Sequence, residues 1–107
     1  MSKNTIMLVC SAGMSTSLLV TKMKKAAEDR KIDLNIFATS VSESDSYIES
    51  ENIKVVLLGP QVRFMEDQFK EKLSGKNIAL SIINMSDYGM MNGEKVLDSA
   101  LKLMGGN

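Results

Sequence analysis

The sequence predicts an α/β protein: a three-layer sandwich in which a four-stranded parallel sheet, ordered 2-1-3-4, carries helices on both faces. Three observations carry this expectation. First, Ile6-Met7-Leu8-Val9 and Val55-Val56-Leu57-Leu58 are uninterrupted apolar runs, the mark of strands buried on both faces of a parallel sheet. Second, stretches with helical periodicity separate the strand-like runs, so the order is strand then helix throughout. Third, right-handed crossovers restrict the path of the chain, and the most apolar strands, the first and third, take the centre.

Each element has its own signal. The first strand covers 5–10. The helix after it covers about 15–30, with Leu19, Met23 and Ala27 on one face, Val20 and Ala26 beside them, and lysines on the other side. Ser15 is its expected N-cap. Leu34, Ile36 and Ala38 alternate with Asn35 and Phe37 in a second strand at 33–38, whose mixed composition suits a sheet edge. A short helix is expected at 43–50, with Glu43 and Asp45 in its first turn. The third strand, 54–58, ends at Gly59-Pro60; Pro60 has a fixed φ and no N–H, which suits the first turn of a helix. Val62, Met65, Phe69 and Leu73 mark one face of a helix at 61–73. After a turn at 74–77, residues 78–83 form the fourth strand. Residues 84–92 read as a loop with room for one helical turn, and 93–104 as a last helix that ends at Gly105-Gly106.

Composition narrows the function. At 107 residues and 44% apolar content, one domain spanning 1–107 is expected. Thirteen basic residues balance thirteen acidic ones, so no field points to nucleic acid or to an anionic membrane surface. No apolar run approaches the ~20 residues of a membrane span, and Met1-Ser2-Lys3-Asn4 leads directly into a strand. A cytoplasmic protein with a reduced thiol is the expectation from its single cysteine. The absence of histidine removes Ser-His-Asp and Cys-His nucleophile systems and the commonest zinc ligand. No metal and no cofactor are expected.

The chemistry concentrates at Cys10 and the residues that follow it, Ser11, Ala12, Gly13, Met14, Ser15, Thr16 and Ser17. Strand, tight loop and helix start occur in that order. Unpaired N–H groups and a partial positive charge at a helix N-terminus suit an anion and favour a thiolate. From the residues alone, Cys10 is open to two readings: a small buried hydrophobe at a strand end, or a nucleophile whose loop cradles a phosphoryl group. Tyrosine phosphatases share a cysteine-started phosphate loop of the pattern Cys-x5-Arg. Here the sixth residue after Cys10 is Thr16. With no arginine there and no evident general acid, a phosphocysteine formed at this loop would be kept until an acceptor arrives, as in a carrier. Ligands of such sheets bind beyond the carboxyl ends of the strands at the switch point, so Gly59, Pro60 and Gln61 should face Cys10 across a crevice. Gln61 is a candidate hydrogen-bond partner there, beside the plainer reading of a strand-to-helix loop. Met14 at the loop tip suits docking of more than one partner. Met90-Met91 offers a similar but weaker case, and Arg63 reads as a solvated charge or a contact for an acidic rim.

Residues 9–20, Val-Cys-Ser-Ala-Gly-Met-Ser-Thr-Ser-Leu-Leu-Val, closely resemble the phosphorylation-site loop of IIB components of the bacterial PEP-dependent sugar phosphotransferase system, of the lactose/cellobiose/diacetylchitobiose type. Residues 55–62, Val-Val-Leu-Leu-Gly-Pro-Gln-Val, resemble that family's third-strand motif. The cellobiose-type branch fits better than the lactose-type branch, whose loop starts Cys-Ala-Gly-Ser/Gly-Gly-Thr-Ser. The resemblance spans essentially the whole chain and implies a flavodoxin-like, tyrosine-phosphatase-like fold.

It also implies a function. A phosphohistidine of the IIA component donates its phosphoryl group to Cys10, and the phosphocysteine passes it to a β-glycoside disaccharide held in the membrane IIC permease. Residues 11–17 are then the phosphate loop, and both partners share the surface around Met14 and the loops at 39–43, 59–63 and 84–90. On this reading the protein is a monomer that meets the inner face of the membrane only through IIC. A small cysteine phosphatase and a non-catalytic interaction module of the same fold are the alternatives.

Overall fold

A computed structural model describes residues 4–11, 16–50 and 52–105. Its core is one sheet of four parallel strands, β1 (Asn4–Cys10), β2 (Leu34–Ser40), β3 (Ile53–Leu58) and β4 (Ala79–Ile82), in the order β2-β1-β3-β4. This is the expected order, and β2 is the expected edge.

The apolar runs are continuous because both faces of the central strands are covered. Ile6 and Leu8 of β1 join Ile36, Val55 and Leu57 beneath α1 (Ser17–Asp29) and α5 (Gly93–Leu103). Met7 and Val9 point the other way and join Val56, Leu58, Ile48, Phe69 and Leu73 beneath α2 (Val41–Ser50) and α3 (Glu66–Leu73). Each such large side chain, fully removed from water, contributes about 1.5–3 kcal/mol, so the two layers hold the sheet from both sides. Met23 is fully buried, and Met65 and Met104 pack against the core clusters, as their helical spacing suggests.

The chain departs from expectation mainly at its turns. The single helix expected at 61–73 is two pieces: a 3-10 segment, Pro60–Met65, broken at Val62 (φ −116°, ψ 21°), and then α3. Pro60 starts the first piece, and Val62 N–H donates to the Gly59 carbonyl at 3.0 Å, closing a tight turn that drops Val62 into the core. The spacing Val62, Met65, Phe69, Leu73 is compatible with either form, so periodicity alone missed the break. β2 runs to Ser40, and α2 follows at Val41 with no loop between them. The turn in 84–92 is a short helix, α4 (Met85–Gly89), capped by the Asn84 side chain, which accepts from Asp87 N–H at 3.1 Å. Asn92 caps α5 in the same way through Lys95 N–H at 3.2 Å.

α5 reaches α1 through Gly93. A Cβ there would stand 2.6 Å from the Lys22 carbonyl carbon and 2.7 Å from the Met23 nitrogen, so only glycine allows this approach. Arg30 at the end of α1 pairs with Asp98 and, at 3.7 Å, with Glu94 of α5. Among the described residues, no helix is long and apolar enough to cross a membrane.

Candidate functional site

Cys10 is the last residue of β1, one of the two central strands, and is 1% exposed. The strand ends around it are tied together. Gly59 N–H donates to the Val9 carbonyl at 2.8 Å, and Ile83 N–H donates to the Leu58 carbonyl at 2.8 Å. The carboxyl edges of β1, β3 and β4 thus form one continuous platform, with Cys10 on it and Ser40 of β2 in register beside it.

Thr16 returns the chain to the sulfur. Its hydroxyl Oγ1 donates to Cys10 Sγ at 3.5 Å, within the range for a sulfur acceptor, and its side chain is 0% exposed. The N-cap position of α1 is Thr16, with helical backbone (φ −92°, ψ −6°) and no side-chain bond to its own helix. The hydroxyl that would normally serve the helix N-terminus is directed at the thiol instead. Ser15, named as the cap, lies outside the described residues, as do Ala12, Gly13 and Met14. Ser11 and Ser17, which bracket that stretch, are both exposed. The first turn of α1 carries no acidic residue, so nothing there opposes the positive end of a thirteen-residue helix.

The expected approach of Gly59 to Cys10 is observed. A Cβ on Gly59 would lie 3.6 Å from Cys10 Cβ, 3.4 Å from the Val9 carbonyl oxygen and 2.9 Å from Gln61 Oε1. Glycine therefore leaves a small space that the Gln61 amide borders on one side and Cys10 on the other. Pro60 occupies the first position of the 3-10 segment. Gln61 Nε2 donates to the Tyr88 hydroxyl at 3.0 Å.

Tyr88, carried by α4, is the residue that the sequence reading missed. The signal available was an aromatic ring with a polar tip, next to Ser86 and Asp87, just beyond the fourth strand. Ser40 was also missed. Its hydroxyl lies 3.1 Å from that of Ser42 and donates to Glu43 Oε1 at 3.2 Å, which shapes the β2 side of the platform. Arg63 is exposed, Met90 is largely exposed, and Met91 packs against the core at φ 52°.

The arrangement is a thiol at a strand end, one buried hydroxyl donor where a Cys-x5-Arg enzyme would place a guanidinium, and a helix N-terminus close behind. Such an arrangement offers an anion neutral donors. It belongs, with the fold, to a IIB subunit of the sugar phosphotransferase system: the pattern of the family described as "PTS system, Lactose/Cellobiose specific IIB subunit" matches residues 5–99, and the chain is a member of that family. It is 47% identical over 107 residues to the "PTS system cellobiose-specific EIIB component" of Lactococcus lactis subsp. lactis (strain IL1403), covering 97% of this chain and 99% of the relative. It is 46% identical, with the same coverage, to the "PTS system galactose-specific EIIB component" of Lactococcus lactis subsp. cremoris (strain MG1363). The solution structure of the cellobiose-specific phosphotransferase IIB component protein from Borrelia burgdorferi superposes with a TM-score of 0.77 at 42% identity, covering 98% of this chain and 94% of that one. The resemblance drawn from residues 9–20 and 55–62 is therefore borne out. IIB components are phosphotransferases of sugar phosphorylation and work with IIA and IIC partners.

Proposed function

We propose that Cys10 carries the phosphoryl group, and that residues 11–17 hold it. The observation that supports this reading is the buried Thr16 hydroxyl directed at Cys10 Sγ at 3.5 Å, on the platform where β1 ends. In the first step a phosphohistidine of a IIA partner gives its phosphoryl group to the sulfur. The S–P bond forms as the N–P bond breaks, and the thiol proton ends on the imidazole nitrogen that leaves. In the second step a sugar hydroxyl attacks phosphorus, the O–P bond forms, the S–P bond breaks, and the sulfur departs as thiolate while the hydroxyl proton passes to a base on the IIC side. The chemistry asks for in-line positioning and charge stabilisation rather than a covalent role for further side chains. Gly59, Pro60 and Gln61 form the opposite wall, with Gln61 Oε1 and Cys10 Cβ both bordering the small space beside Gly59.

Partners must reach a nearly buried sulfur, so they dock on the carboxyl edge in turn. Leu18, Phe64 and Met85 are 54%, 77% and 61% exposed, and all three lie on segments that leave that edge. An apolar rim of this kind suits small, transient interfaces. Residues 1–107 act as one domain, as a monomer in the cytoplasm, and visit the inner membrane face through IIC. The sugar is a β-glycoside disaccharide of the cellobiose/chitobiose/lactose type. Its identity is not a property of this chain: relatives at 47% and 46% identity carry the names of different sugars.

Incubation with a phosphorylated IIA component is expected to give an acid-stable, iodine-labile adduct at Cys10 and none in Cys10→Ser. Labelling retained in Cys10→Ser would remove Cys10 as the carrier. Turnover of an aryl phosphate at a useful rate would instead make the site a phosphatase, a reading that Thr16 in the arginine position disfavours.

A further inference from the structure

We infer that Gln61 and Tyr88 form a two-position amide clamp that reads the phosphorylation state of Cys10. The inference rests on the carrier role just proposed and extends it to Tyr88. Gln61 Nε2 donates to the Tyr88 hydroxyl at 3.0 Å, which turns the carbonyl oxygen Oε1 toward the space beside Gly59 that Cys10 Cβ also borders. An amide oxygen there suits a thiol, whose S–H is a donor. It does not suit a phosphocysteine, whose phosphoryl oxygens are negatively charged acceptors. The terminal torsion of glutamine is broad and two-fold, so a half-turn exchanges Oε1 and Nε2 with little cost. Tyrosine is the partner that makes both positions satisfied. Its hydroxyl accepts from Nε2 in the thiol state and donates to Oε1 in the phosphorylated state, leaving the NH2 group to face the phosphoryl oxygens. The two residues come from the segments after β3 and β4, so the clamp also ties those segments together across the platform. Tyr88 is a positioning residue here: it acts on the phosphoryl group through Gln61, while its ring packs partly against the core.

The test uses the full-length chain labelled with 15N and charged by a phosphorylated IIA component. In the wild type, the Gln61 side-chain NH2 resonances are expected to shift on phosphorylation of Cys10, and in Tyr88→Phe the same change should be much reduced. Tyr88→Phe should lower the maximal rate of phosphoryl uptake about fivefold, and Gln61→Glu, which replaces the NH2 by a negative oxygen, about tenfold or more. Tyr88→Phe combined with Gln61→Ala should be no slower than Gln61→Ala alone, because the two act as a unit. Effects that multiply, or Gln61 resonances indifferent to phosphorylation, overturn the clamp while Cys10 still takes up phosphate. If the wild type takes up no phosphate at Cys10, the carrier reading and the clamp fall together.

Discussion

Thr16→Val removes a buried side-chain donor that reaches the sulfur. Valine keeps the shape of threonine and removes only the hydroxyl, and the Thr16 side chain makes no bond to its own helix that could be lost with it. Stability should therefore change by less than about 1 kcal/mol, a shift of at most roughly 4–8 °C in Tm. The catalytic effect should be larger and directional. Sulfur bears little charge in phosphocysteine but leaves as a thiolate, so the O–H···S bond, 3.5 Å in length, strengthens as the phosphoryl group departs. A hydrogen bond to a charged group contributes about 1.5–3 kcal/mol, which corresponds to roughly a 10- to 150-fold slower discharge of the phosphocysteine. Loading of the thiol should suffer less, because a less stabilised thiolate is also the better nucleophile. The assay is a rapid-quench measurement of both directions between this protein and a IIA partner, with Thr16→Ser as the control that restores the hydroxyl. Equal discharge rates for Thr16→Val and wild type, with both proteins folded, would refute a role for this hydroxyl on the sulfur.

Other perturbations separate fold from function. Gly93→Ala puts a Cβ 2.6–2.7 Å from backbone atoms of α1 that cannot rotate away; overpacking of this kind costs about 1–3 kcal/mol, and thermal denaturation should show a Tm lowered by roughly 4 °C or more for each kcal/mol. Gly59→Ala meets a movable group instead, the Gln61 amide at 2.9 Å. It should leave Tm within a few degrees yet slow phosphoryl uptake several-fold, as stopped-flow transfer assays can show. Asp98→Asn removes an ion pair that Glu94 partly duplicates on a half-exposed surface, so urea titration should show a loss below about 1 kcal/mol that shrinks further in high salt.

Much of this molecule was legible before its structure. β1 and β3 are read from their apolar runs because a central parallel strand has no solvent face, and burial on both sides leaves a one-dimensional signature. The strand order follows from that composition together with crossover handedness. Cys10, the helix start and the approach of Gly59 are local in sequence or follow directly from strand order. The split at Val62 and the α2 start at Val41 were not legible, since apolar spacing is the same for a 3-10 turn and an α-turn over so short a stretch.

The scaffold, the placing of Cys10 at the end of β1, and the family can all be read along the chain, because each is written in contiguous residues or in the periodicity of burial. What the neighbouring side chains do depends on packing in three dimensions. Thr16 could have capped its own helix, and the choice of Cys10 Sγ instead depends on how α1 is seated over the sheet by Gly93 and the core beneath it. Gln61 and Tyr88, separated by 27 positions, meet because β3 and β4 are neighbours and their carboxyl ends are tied at Ile83. A hydrogen bond between distant residues depends on geometry to within fractions of an ångström, and no pattern along a chain carries that information.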